Sequence, residues 1–134
     1  MLKYIVPFLV ACLYCSACVS DRDNTAESIG LEDWQVERVC RLYMQCEFVD
    51  LADEMYDYRY QTDERKQQFV TLMKQHAALR KKKDEYPVQI HYVKSEVYPC
   101  DSLADVFVEL CYPGGRTETG MFQMIRVNQE WLVR

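Results

Sequence analysis

The stretch Thr119-Gly120-Met121-Phe122-Gln123-Met124-Ile125-Arg126-Val127-Asn128-Gln129-Glu130-Trp131-Leu132-Val133-Arg134 decides the fold. Met121, Ile125 and Val127 fall on one face of an extended chain and Phe122 and Met124 on the other, which is the two-residue period of a strand. Asn128-Gln129 reads as a tight turn, because asparagine tolerates positive φ better than most residues. Glu130 to Arg134 is then the returning strand of a hairpin.

The same period continues toward the N-terminus. Ala104, Val106, Val108 and Leu110 alternate with Asp105 and Glu109, and Pro113-Gly114-Gly115 turns the chain after them. Val88, Ile90 and Tyr92 alternate with Gln89 and His91, ahead of the turn-rich Tyr98-Pro99-Cys100-Asp101-Ser102. Four strands in succession predict an antiparallel meander.

Before Pro87 the period lengthens to three and four. Val36, Val39, Cys40, Tyr43 and Cys46 predict an amphipathic helix of about 14 residues, with Asp33 as its cap. Asp50 is expected to cap a shorter helix carrying Leu51, Met55 and Tyr58. A third helix follows Thr62 or Asp63, whose side chains accept hydrogen bonds from exposed N-terminal amides. Phe69, Leu72, Met73, His76 and Leu79 are its expected apolar face. Arg80 to Lys83 lie at its C-terminal end, where cations favour the helix dipole and a solvated face is the expected role. Helices first and strands second specify an α+β fold, with a helical layer packed on one side of a curved antiparallel sheet of about four strands.

Composition bounds the rest. A chain of 134 residues suits one domain, and 49% hydrophobic residues exclude a disordered polymer. With 16 Lys+Arg against 21 Asp+Glu the chain carries a formal charge of −5, which argues against a nucleic-acid partner.

The N-terminus reads as an address. Met1-Leu2-Lys3 is a short positive region, followed by the uncharged Tyr4 to Ala17. As a helix that stretch reaches about 21 Å, short of the roughly 30 Å of bilayer hydrocarbon. Residues 1–17 are therefore expected to be a secretory signal that is removed. Cys15-Ser16-Ala17-Cys18 resembles a bacterial lipobox, in which small residues precede a cysteine that takes lipid on its sulfur. Cys18 is the expected acylation site and Cys12, after Leu9-Val10-Ala11, the alternative; Cys18 leaves the apolar core its usual length. Residues 18–32 form an acylated cysteine and polar tether, with Asp21 and Asp23 resembling the export tag of some outer-membrane lipoproteins. The domain spans 33–134. The expected location is the cell envelope, at the outer membrane and on its exposed face, with the N-terminal lipid as the membrane contact.

The order of elements, closing on Val-Asn-Gln-Glu-Trp-Leu-Val at Val127 to Val133, resembles the nuclear transport factor two-like, cystatin-like cone fold, and in particular bacterial lipoproteins of unknown function in that superfamily. The resemblance implies a sheet curled around a conical cavity capped by helices, in proteins that range from isomerases and dehydratases to non-catalytic modules. It implies a second possibility too, dimerisation over the outer sheet face, for which Phe107, Phe122 and Met124 are the candidate patch.

Enzymes of that class place an acid or base in an apolar pocket, so His76 and His91 are the candidate catalytic residues. His76 sits on the apolar side of the third helix and His91 on the strand face opposite Ile90. Two histidines without metal-ligand spacing make a metal site improbable, and the carboxylate pairs Asp53/Glu54 and Asp105/Glu109 read as exposed faces. Cys40, Cys46, Cys100 and Cys111 permit three complete pairings, and Cys40 and Cys46 project too far apart on a helix to bridge each other. No Gly-rich phosphate loop or Gly-x-Ser-x-Gly occurs, and no cofactor is expected. Tyr56, Tyr58 and Tyr60 around Arg59 are candidate binding aromatics, although one or two such rings packing on the sheet is the simpler role. The expected function is non-enzymatic binding of a small apolar ligand or a protein partner. The alternatives are an isomerase or dehydratase with a pocket histidine, and a structural module that forms a homodimer through the sheet.

Overall fold

Asn128 and Gln129 take positive φ values of 51° and 68°, the geometry that twists two strands into a two-residue hairpin. The computed structural model describes residues 30–134. Around that hairpin the chain builds β1 (Gln89–Val97), β2 (Leu103–Cys111), β3 (Thr117–Val127) and β4 (Glu130–Val133), paired antiparallel in the order β1-β2-β3-β4. Ahead of them come α1 (Asp33–Met44), α2 (Phe48–Asp53) and α3 (Asp63–Lys82). The α+β arrangement is the one its periodicity specifies. Cys12, Cys18, the signal segment and nearly all of the tether lie outside the described residues.

Register fixes which residues face the helices. Val106 pairs with Phe122 and with Ser95, and Ala104 pairs with Met124, so the even-numbered residues of β2 and β3 share the inner face. Asp105, Phe107 and Glu109 share the outer face with Gln123, Met121 and Thr119. In β1, Tyr92 opposes Val108 but Lys94 opposes Phe107, which leaves Val93 as an extra, bulged residue. The bulge reverses the alternation, so His91 and Lys94 both point outward, and such bulges sharpen the bend of a strand. Gly120 contributes to the curl: a Cβ there would lie 3.1 Å from Val108 Cγ2 and 3.2 Å from Leu110 Cδ1. Only glycine lets these side chains lie flat across β3.

The inner face packs against the helices through Val36, Val39, Leu42, Phe48, Leu51 and Ala52 meeting Ala104, Val106, Val108, Met124 and Trp131. Tyr86 closes the end of this layer. Its ring stacks on Tyr43 at 5.2 Å between centroids, and its hydroxyl donates to the Tyr43 carbonyl.

Three local readings need correction. α1 begins at Asp33 itself, after Glu32, whose backbone N–H donates to Gln35 Oε1 at 2.8 Å. α2 starts at Phe48, ahead of Asp50, because Phe48 and Leu51 are the residues that fill the core. Thr62 caps α3 as expected, accepting from the Arg65 N–H at 3.3 Å, but the helix buries Phe69, Val70 and Ala77 with Met73 beside them. That stripe rotates Leu72, His76 and Leu79 into solvent. Among the described residues no helix is long and apolar enough to cross a membrane.

Candidate functional site

The place to look for chemistry in a curled sheet is its concave side. Among the described residues that side shows a cleft of about 90 Å³ between α1 and β1, lined by Glu37, Cys40, Arg41, Met44, Ile90 and Tyr92. Pockets for drug-sized ligands run to roughly 300–1,000 Å³, so this cleft holds a few waters at most. Cys40 borders it as a buried thiol, pushed up to about 11 by desolvation first and by the charge of Glu37 second. A thiol held protonated in this way is a packing group rather than a nucleophile.

Neither candidate histidine enters the cone. His76 is exposed on α3, where its Nε2 accepts from Arg80 Nε at 3.2 Å, one helical turn away. His91 is exposed on the outer face of β1, opposite Glu109. The tyrosine run divides as well. Tyr58 packs on Phe69 with ring centroids 4.3 Å apart, whereas Tyr56 and Tyr60 are exposed.

Arg59, inside that run, leads to a larger opening. The segment following α2 lies along the free side of β4: the Tyr56 N–H donates to the Val133 carbonyl and the Val133 N–H to the Glu54 carbonyl, both at 2.7 Å. This pairing brings Glu54 and Arg59 beside Trp131, and α1 supplies Trp34, Gln35 and Arg38 from the other side. The result is a groove of about 360 Å³ lined by these residues and Glu130. Arg38 Nε meets Glu54 Oε1 at 3.1 Å, and Arg59 Nη1 meets Glu130 Oε2 at 2.9 Å. Two cations and two anions cancel, so the groove presents no net charge to a ligand. Trp131 is buried, while Trp34 is 58% exposed at the rim.

The outer sheet face carries the feature that composition and spacing did not reveal. Asp105, expected on an exposed face, is 1% exposed. Tyr98 folds back from the β1–β2 connection and donates its hydroxyl to Asp105 Oδ2 at 3.1 Å, and Gln123 Nε2 donates to Oδ1 at 3.2 Å. Arg134 Nη1 in turn donates to Gln123 Oε1 at 3.3 Å. Burial pushes the Asp105 carboxyl above its ordinary range; the Gln123 and Tyr98 hydrogen bonds oppose that shift, and the charge of Glu96 adds to it. The expected patch of Phe107, Phe122 and Met124 does not form. Phe107 points outward beneath Lys94, whose Nζ is 5.2 Å from its ring centroid, and Phe122 and Met124 point into the helical layer. No disulfide joins any two of Cys40, Cys46, Cys100 and Cys111.

No family model matches the chain, and no curated protein is detectably similar to it in sequence. Among solved structures, one from Campylobacter jejuni, described as an NTF2-like transpeptidase, superposes with a TM-score of 0.54. The match covers 73% of this chain and 92% of that one, at 11% identity. The fold is the nuclear transport factor two-like cone. At that identity the likeness is one of architecture, and a cone of this kind is compatible with many functions. In this cone the described inner face is packed with apolar side chains, and Asp105, His91 and Glu109 lie outside it.

Proposed function

We propose that this protein is a non-enzymatic, lipid-anchored module of the cell envelope whose cone domain binds a protein partner at the groove between Trp34 and Trp131. The observation that supports the groove over the cone interior as the binding place is the contrast in size between the inner cleft, about 90 Å³, and the outer groove, about 360 Å³. The groove's composition favours polypeptide. Tryptophan and arginine dominate binding energy at protein interfaces, and cancelled charge disfavours a polyanion or an anionic headgroup. Cys18 carries the acyl chains, since stable anchoring needs more than one chain and a triacylated cysteine supplies several. Asp21 and Asp23 direct the protein to the outer membrane.

A photoreactive residue in place of Gln35, in cells producing the full chain, tests the groove. One discrete protein adduct, lost on Trp34→Ala, is the expected result. Equal adducts with and without Trp34, or none at all, would refute the groove as the interface. Mass spectrometry of the mature N-terminus tests the anchor: an acylated Cys18 is expected, and an intact, unmodified Met1 would overturn it.

A further inference from the structure

The outer face of β1 and β2 brings together three side chains that the partner-binding reading does not use. His91 and Glu109 are directly opposed across the ladder, and Cys111 lies two residues beyond Glu109 on the same face. Their ligand atoms all lie within 4.8 Å of one another. Opposed residues of an antiparallel pair hold their Cβ atoms about 4.5–5.5 Å apart, so the sheet itself sets this spacing. The Val93 bulge begins after Tyr92, which leaves the stretch from Gln89 to Tyr92 in regular register with β2.

We propose that His91, Glu109 and Cys111 form a binding site for a divalent transition-metal ion of the zinc type, with a fourth position open to water. The donor set is the first reason. A thiolate, an imidazole and a carboxylate are the three side-chain ligands zinc uses, and a thiolate selects against Mg²⁺ and Ca²⁺. Geometry is the second. Metal–nitrogen and metal–oxygen bonds near 2.0 Å and a metal–sulfur bond near 2.3 Å place tetrahedral donors roughly 3.3–3.5 Å apart. Cys111 Sγ already stands 3.9 Å from Glu109 Oε1, so side-chain rotation of a few tenths of an ångström closes that edge.

Accessibility is the third reason. His91 and Glu109 are exposed and Cys111 half-buried, so an ion enters without opening the core. Among the described residues no cation pairs with Glu109, which leaves its charge available to the metal. On binding, the Cys111 thiol gives its proton to solvent and its sulfur lone pair to the ion, while His91 binds through neutral imidazole nitrogen. The thiolate and carboxylate then neutralise the dication. Spacing along the chain does not announce this site, because its ligands come from two strands and meet only through register.

Cobalt(II) titration of the phosphine-reduced mature protein, acylated at Cys18 and solubilised in detergent, tests the site. The expected result is a thiolate-to-cobalt charge-transfer band that saturates at one equivalent, disappears when zinc is added, and survives a large excess of Mg²⁺. Cys111→Ser should abolish the band. His91→Ala and Glu109→Gln should each weaken binding by more than the roughly 10–100-fold that loss of an outer-shell partner costs. Zinc should also slow alkylation of Cys111, but not of Cys46, in the unsubstituted protein, a readout that needs no variant. A band unchanged in Cys111→Ser, the absence of any band at stoichiometric metal, or alkylation of Cys111 indifferent to zinc would each overturn the proposal.

Discussion

Val106 and Asp105 are neighbours on β2, both buried, and they point into opposite surroundings. Val106 meets a layer of helical side chains with no polar group to satisfy, and Asp105 needs Tyr98 and Gln123 to make its burial tolerable. The inner face is held by packing, whereas the outer face combines packing at Phe107 and Leu132 with the hydrogen bonds of Asp105. Among the described residues the inner face is filled by apolar side chains, and Asp105, His91 and Glu109 lie on the outer face. The strand period explains how: one register assigns every odd residue of β2 to one task and every even residue to the other.

The contrast breaks most visibly at adjacent residues of β3. Met124→Ala empties the inner face and should cost about 2–5 kcal/mol, measured as a shift in the denaturant midpoint with unchanged slope. Gln123→Ala, on the outer face, removes one donor from a buried carboxylate and should cost about 1–3 kcal/mol. Equal costs at the two positions would contradict the division.

Asp105 sharpens the comparison through pH. Its carboxyl is raised in the folded chain, so folding takes up a proton between the unfolded value, about 3.9, and the higher folded one. Stability is therefore retained below the unfolded value and lost as pH rises through the folded value. Asp105→Asn lacks this loss. Its midpoint relative to the parent chain should improve as pH climbs from about 4 toward neutrality, and a constant difference across that range would remove burial as the dominant influence on Asp105.

At the rim the effects on stability are small. Arg59→Ala breaks an ion pair whose partner Glu130 is half exposed, and should cost less than about 1 kcal/mol in an unfolding experiment while weakening the crosslink expected from position 35. Smallest of all, Leu72→Lys on the solvent side of α3 should stay within roughly 0.5 kcal/mol of the parent, since Leu72 is 65% exposed. A larger loss would return that face of α3 to the core.

What was legible in the sequence follows from the range of each interaction. The Asn128-Gln129 turn, the Thr62 cap and the alternation in β2 are local, and each can be read from a few adjacent residues. The face of α3 is legible in part, at Phe69 and Met73; Leu72, His76 and Leu79 also recur at helical spacing, and only packing against α2 and Tyr58 selects Val70 and Ala77 in their place. Asp105 looked solvated because its partners are a tyrosine that folds back from a loop and a glutamine one strand away. His91, Glu109 and Cys111 were equally hidden, since nothing along the chain marks residues that meet across a ladder. The Trp34–Trp131 groove joins α1 to β4, and residues so far apart along the chain give no local sign of meeting.

The packed inner face, on which the proposal of an outer recognition surface depends, is open to direct test by methyl and indole NMR of the folded chain during titration with small apolar compounds. The inward methyls of Val106, Val108 and Met124 should not move at any concentration that leaves the protein folded. Saturable shifts at those methyls would show an interior that admits ligand, and would contradict the packed inner face.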